Sequence, residues 1–182
     1  GFLGPPLLCH ALSDNGYPEL AYKLVFQDKY PSWLYPVTMG ATTIWERWDG
    51  IKPDSTFQDV GMNSFNHYAY GAIGDWLYRN AAGIRIDPSQ PAYKKIIIKP
   101  LLDSRLDHVD AWHISPYGKI SSSWKTGQDD LNLQVNVPPN STARVHLPNP
   151  TGSELLESGM PLDKAEGVLG IKKLDGHTII EI

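Results

Sequence analysis

A single cysteine, Cys9, stands in 182 residues, so no disulfide forms within the chain. Cys9 lies in an apolar helical pattern, where a thiol reads as a small buried hydrophobe rather than a nucleophile. No run of about 18 apolar residues occurs, which argues against insertion into a membrane. Basic residues form no stripe and the net charge is −4, so nucleic acid is not a matched partner. The histidines His10, His67, His108, His113, His146 and His177 lack the close spacing of metal ligands. There is no Gly-x-Ser-x-Gly elbow for a Ser-His-Asp triad, and no glycine-rich loop follows a strand to cradle a nucleotide. No metal and no cofactor is expected. No signal peptide and no initiator methionine is present, and Gly1-Phe2-Leu3-Gly4-Pro5-Pro6 reads as the interior of a longer chain, which leaves the compartment open.

What the chain does contain changes character near Gly83. Before it, apolar residues recur at helical spacing. Leu7, Leu8, Ala11 and Leu12 predict a first helix that Asn15-Gly16 stops. Pro18-Glu19 opens a second, striped by Leu20, Ala21, Leu24 and Val25. Pro31 and Pro36 rule out a continuous helix, and residues Tyr30 to Met62 read as a long connection rich in aromatics and acids. A third helix is predicted from an N-cap at Ser64 to about Ala82-Gly83, with His67 on its first turn.

After Asp87-Pro88-Ser89-Gln90-Pro91 the period becomes two. Leu131, Leu133, Val135 and Val137 alternate with Asn132, Gln134 and Asn136. Further strands are predicted over Lys94–Lys99, Leu106–Ile114, Lys119–Lys125, Thr142–Leu147, Val168–Leu174 and His177–Ile182, with turns at Pro116-Tyr117-Gly118, Gly127-Gln128-Asp129, Pro138-Pro139-Asn140 and Asp175-Gly176. Short strands so spaced predict an antiparallel β-sandwich. The chain is therefore expected to be an α + β chain in two parts, helical over residues 1–84 and all-β over 85–182.

Chemistry concentrates in Ala41-Thr42-Thr43-Ile44-Trp45-Glu46-Arg47-Trp48-Asp49-Gly50. Sugars present apolar C–H faces and polar rims. Indole rings suit the first, and carboxylates or guanidinium groups suit the second. Glycosidic cleavage needs two carboxyl groups flanking the bond, and a carboxylate beside aromatic faces is partly dried, which suits proton transfer. Glu46 is the first catalytic candidate. His67, placed to donate to a sugar hydroxyl, is the second. On the residues alone, the balance leans to a surface loop with an ion pair and two packing tryptophans, and to His67 as a locally packed histidine. Asp54, Asp59 and Asp75 are second-carboxylate candidates that read as turn or helix-surface acids.

The runs Gly1–Leu8, Leu20-Ala21-Tyr22, Tyr30-Pro31-Ser32-Trp33-Leu34-Tyr35, Gly40–Asp49, Asn63–Gly71, Ala82-Gly83-Ile84 and Ser115-Pro116-Tyr117-Gly118, with Trp124 after them, resemble the bacterial α-L-rhamnosidases of glycoside hydrolase family 78. The resemblance covers nearly the whole chain, more weakly after about Leu147. It implies the C-terminal helices of an (α/α)6 barrel over 1–84, followed by a C-terminal β-sandwich. It implies inverting hydrolysis of terminal α-L-rhamnosides, in rhamnose-containing glycosides or polysaccharides, by a Glu acid and a Glu base. Glu46 matches the base, His67 a rhamnose contact, and Trp45 and Trp48 residues that shape or dry the site. The general acid lies upstream of Gly1 in the family, so the partner implied is the N-terminal part of the same enzyme, and the chain by itself is expected to have little activity. Two other readings are a carbohydrate-binding module, favoured if Trp112 and Trp124 are exposed on a sheet face, and a different (α/α)6 glycosidase.

Overall fold

The computed structural model describes residues 2–149 and 153–182. Gly1, the first residue of the resembling run Gly1–Leu8, lies outside them. The chain has both helices and sheets and divides into two compact units, Gly1–Trp76 and Leu77–Ile182. Among the described residues no helix is long and apolar enough to cross a membrane.

In the first unit, α1 (Pro5–Asp14) starts on two prolines, whose missing N–H groups are not needed in a first turn. It stops at Asn15-Gly16, where Gly16 takes a left-handed backbone (φ +84°). α2 (Pro18–Val25) follows in the same manner. The stripe Leu7, Leu8 and Ala11 is exposed, and α1 buries Cys9 instead. α2 buries Ala21 and Tyr22, and Tyr22 meets the Trp76 ring edge-on at 5.0 Å. Trp76 donates its indole N–H to Ser13 Oγ at 2.9 Å, which ties the unit's last residue to α1. The connection after α2 holds one short α-helix, α3 (Leu34–Thr38), which admits Pro36 because that residue lies in its first turn, and a 3-10 turn at Val60–Met62.

The third helix does not start at Ser64 as predicted. Its would-be first amides have other acceptors: Ser64 N–H goes to Glu46, Asn66 N–H to Ser64 Oγ, and Ala69 N–H to His67 Nδ1. Helical turns begin only at Ala69. A 3-10 turn (Ala69–Ala72) leads into α4 (Ile73–Trp76), then a π-helical turn (Leu77–Ala81). Residues 63–68, His67 included, are therefore loop.

The second unit opens with that π turn, held by the strands that follow. Trp124 donates its indole N–H to Ala81 O at 2.8 Å, and Ser122 Oγ donates to Ala82 O at 2.7 Å, so two strand side chains satisfy carbonyls left over at a helix end. The compact units divide after Trp76, while the change of sequence period falls at Gly83. β1 (Ile84–Ile86), β2 (Lys95–Ile98), β6 (Thr142–Pro148), β10 (His177–Glu181) and β9 (Gly170–Leu174) form one sheet in the order β1-β2-β6-β10-β9. β3 (His108–Ser115), β4 (Gly118–Thr126) and β5 (Leu131–Asn136) form a second, and a small hairpin pairs β7 (Leu156–Glu157) with β8 (Met160–Pro161).

β2 and β6 run parallel, so the larger sheet is mixed rather than purely antiparallel; the β3–β5 meander intervenes between them in sequence and lets the chain return in the same direction. One core cluster draws Ile84, Ile96, Ile98, Val145 and Ile180 from the larger sheet and Ile120 from the smaller. Each such isoleucine contributes roughly 1.5–3 kcal/mol by leaving water.

Candidate functional site

The segment from Ala41 to Gly50 has neither helix nor strand, yet it is pinned along its length to Asn63–His67. Glu46 N–H donates to Ser64 O at 2.8 Å, and His67 N–H donates to Ile44 O at 2.8 Å. Thr43 Oγ1 donates to Phe65 O, and the Asn63 side-chain amide donates to Gly50 O at 3.0 Å. Gly50 is required where the segments close: a Cβ there would lie 2.9 Å from Asn63 Oδ1 and 3.2 Å from the rings of Phe65 and Trp45. These bonds set Glu46 and His67 on two facing stretches of backbone.

Glu46 is half-buried, and its Oε2 accepts the Ser64 amide proton at 2.8 Å. The carboxylate is thereby oriented by backbone, leaving Oε1 for another partner. Trp45 is buried (5 % exposed) and meets Phe65 edge-on at 5.2 Å, so its ring fills the interior of the loop pair. Trp48 is half-buried in a separate aromatic cluster. It stacks on Tyr70 with centroids 3.6 Å apart and meets Trp33 edge-on at 5.2 Å, and Trp33 donates its indole N–H to Tyr70 O at 2.9 Å. Burial pushes the Tyr70 phenol above its ordinary range, which keeps it neutral.

His67 is half-buried between aromatic neighbours, with the Phe2 ring at 5.0 Å and the Tyr68 ring at 5.9 Å, both stacked. Its Nδ1 accepts the Ala69 amide proton at 3.3 Å. A neutral imidazole that accepts at Nδ1 carries its proton on Nε2, so the ring presents a donor there.

The other acids each have a local partner. Asp49 Oδ2 accepts from Gln58 at 2.7 Å and its Oδ1 lies 3.7 Å from Arg47 Nε. Asp54 accepts from the Thr56 hydroxyl and amide, which holds its carboxyl below the usual range. Asp59 caps the Val60–Met62 turn through Gly61 N–H at 2.7 Å. Asp75 lies 2.9 Å from His10 Nε2. Among the described residues, Glu46 and His67 stand on facing stretches of backbone, while Asp54 and Asp59 are engaged within their own turns and Asp75 lies against His10.

Four contributors escape a reading of the sequence. Ser64 acts through its backbone, which no residue type announces. Phe65, Phe2 and Tyr70 are aromatics whose place depends on the loop pairing; Phe65 reads as part of a helix that does not form there, and Tyr70 falls in the 3-10 turn that replaces it. A cavity of about 770 Å³ lies elsewhere, in the second unit, lined by apolar residues such as Leu133, Val135 and Leu147 and by carboxylates such as Glu154 and Glu166. None of the site residues above lines it.

Two family models match the chain: the bacterial alpha-L-rhamnosidase six-hairpin glycosidase domain over residues 1–81, and the bacterial alpha-L-rhamnosidase C-terminal domain over 83–159. An alpha-L-rhamnosidase of Formosa agariphila is 46% identical over 155 residues, 85% of this chain and 16% of its own length. One from Streptomyces avermitilis is 45% identical over 148 residues, 81% of this chain and 14% of its own length. The chain thus spans about a sixth of these curated relatives. The crystal structure of Streptomyces avermitilis alpha-L-rhamnosidase complexed with L-rhamnose superposes with a TM-score of 0.85 at 38% identity, covering 100% of this chain and 17% of that one. The alpha-L-rhamnosidase of Dictyoglumus thermophilum gives 0.84 at 31% identity, covering 100% of this chain and 20% of that one.

Proposed function

The chain belongs to the bacterial α-L-rhamnosidase family, and from that premise we propose that it is the C-terminal part of an inverting α-L-rhamnosidase in which Glu46 is the general base. Its helical part contributes the last helices of an (α/α)6 barrel, and its strands form a β-sandwich. The observation that carries the assignment is the orientation of Glu46. With Oε2 held by the Ser64 amide, Oε1 is free to take a proton from water.

In the proposed step the water oxygen bonds to the anomeric carbon as the glycosidic C–O bond breaks on the opposite face. The water proton passes to Glu46, and a second carboxyl group protonates the departing oxygen. Inversion follows from attack opposite the leaving group, and it needs a gap of roughly 6.5–9.5 Å between the two carboxyl groups to seat the water. His67 donates from Nε2 to a hydroxyl of the rhamnose. Trp45 supports the loop that carries Glu46, and Trp48 with Tyr70 and Trp33 walls the site with apolar surface.

The second carboxyl comes from residues outside this chain, in keeping with relatives some six times longer. General acid assistance is worth typically 10²–10⁴-fold, so the chain by itself is expected to turn over rhamnosides at background rate. Glu46→Gln in the complete enzyme tests the reading. Turnover of an aryl α-L-rhamnoside should fall about 10²–10⁴-fold, with L-rhamnose binding retained within a few-fold. Unchanged turnover would remove Glu46 from the role, and retained turnover by the isolated chain would remove the need for an outside acid.

A further inference from the structure

The smaller sheet has one face in the core and one in water. Register decides which residues lie where. Trp112 pairs with Ser121 and Ser121 with Asn136, while Trp124 pairs with Val109. Ser121 and Trp124 differ in parity along β4, so the two tryptophans point to opposite faces. Trp124 is 1 % exposed; Trp112 is 55 % exposed. One outward row is Trp112–Ser121–Asn136 and the next is Asp110–Ser123–Gln134. The Lys119 ammonium sits 5.5 Å from the Trp112 ring centroid, which braces the indole from one side.

We propose that these two rows form a glycan-binding platform for a rhamnose-bearing polysaccharide. The choice of rhamnose rests on the family reading above; the platform itself rests on the sheet. A pyranose ring has an apolar C–H face and a rim of hydroxyls. The indole offers a flat apolar surface for the face. The hydroxyls of Ser121 and Ser123, the amide of Gln134, the side-chain oxygen of Asn136 (its Nδ2 donates to Lys119 O) and the carboxylate of Asp110 offer donors and acceptors for the rim. Two rows on three strands span roughly 7 by 10 Å, the scale of one or two sugar rings.

Other occupants match less well. A protein interface centres on an apolar core depleted of polar groups, whereas Trp112 has a single exposed apolar neighbour along β3, Ile114, and polar rows across the rest of the face. A nucleic acid needs a run of cations, whereas the charges on and beside these rows, Asp110 with Lys119 and Lys125, are mixed and far apart along β4. Trp112 also has no part in the core, which Val109, Ala111 and Ile120 supply from the same sheet.

The test is affinity electrophoresis of the complete enzyme in native gels cast with rhamnogalacturonan, in a Glu46→Gln background so that the proposed hydrolysis does not digest the matrix. The expected result is retardation of E46Q, loss of most of that retardation in E46Q/W112A, and partial recovery in E46Q/W112F. Thermal unfolding within a few degrees for both tryptophan variants shows that the sheet is intact. Equal retardation of E46Q and E46Q/W112A overturns the platform, as does migration of E46Q unchanged by the polysaccharide. A Trp112-dependent dimer in gel filtration without retardation overturns it in favour of self-association. Failure of the wild-type enzyme to hydrolyse rhamnosides, with Trp112-dependent retardation present, would overturn the hydrolase reading and leave the platform standing.

Discussion

Glu46 and Ser64 exchange two hydrogen bonds: the Glu46 amide donates to the Ser64 carbonyl at 2.8 Å, and the Ser64 amide donates to Glu46 Oε2 at 2.8 Å. Both use the backbone of Ser64, so the side chain at that position is not what orients the carboxylate. Ser64→Pro deletes the donor, and Ser64→Ala keeps it. In the complete enzyme, S64P is expected to lower kcat on a rhamnoside about 10²-fold, the scale on which misplacement of a reacting group is felt. S64A should lose far less. Steady-state kinetics on the two variants check this, with equal losses in both as the contrary outcome.

His67 gives a second expectation, because its tautomer is set by the Ala69 amide donating to Nδ1. The useful atom is then the Nε2 donor. Glutamine reaches nearly as far as imidazole Nε2 and ends in an N–H donor; alanine removes it. H67A should raise KM for a rhamnoside about tenfold, the equivalent of one lost hydrogen bond of roughly 1.4 kcal/mol, with H67Q in between. A KM indifferent to both changes would leave His67 a packing residue between Phe2 and Tyr68.

The sequence shows the strands better than it shows the site. Seven of the predicted strands appear because alternation such as Leu131, Leu133, Val135 is local and survives any packing. Ile84–Ile86 was missed since three residues are too few to show a period, and the parallel β2–β6 pairing is a long-range choice that no local pattern encodes. The opposite faces of Trp112 and Trp124 follow only from cross-strand register. At the candidate site, Glu46 and His67 stood out as residue types in a recognisable motif. The false third helix shows the limit: Ser64 and Phe65 have helical credentials, but the Ser64 and His67 amides find acceptors in the facing loop and those of Asn66 and Ala69 find side chains two residues back, and local propensity loses to those bonds.

Gly83 links the end of the helical turns to β1 with φ +80°, and a Cβ there would lie 2.2 Å from Pro100 N. Both the left-handed backbone and the approach of Pro100 require glycine. Its carbonyl also accepts Lys99 N–H at 2.8 Å, so the junction cannot open without losing the start of the β1–β2 pairing. Gly83→Ala is expected to destabilise the second unit by at least about 2 kcal/mol, seen as a lower urea midpoint. A midpoint unchanged from the parent would mean the backbone relaxes around the methyl group.

His146 supplies the expectation for pH. Burial, followed by the positive charges of Lys99, His177, Arg144 and Arg85, holds its imidazole below the ordinary histidine range. Its Nδ1 is buried without a hydrogen-bond partner among the described residues, and its ring stacks on His177 at 6.3 Å. The folded state therefore resists protonation, while the unfolded chain takes up a proton near pH 6.5. Below that pH the unfolded state binds more protons than the folded one, so stability falls as pH drops from about 6.5 towards the lower folded pKa, and is fully present above 6.5. A carboxylate with a depressed pKa, such as Asp87 beside Ser89 and Arg144, acts lower, below about pH 4. The two contributions separate on the pH axis. His146→Leu should flatten the loss of thermal stability between pH 7 and 5 while leaving the steeper loss below about pH 4 in place; Asp87→Asn should do the reverse. Melting curves for both variants across that range decide it, and a parent-like slope in H146L between pH 7 and 5 would assign the mild-acid sensitivity to other groups.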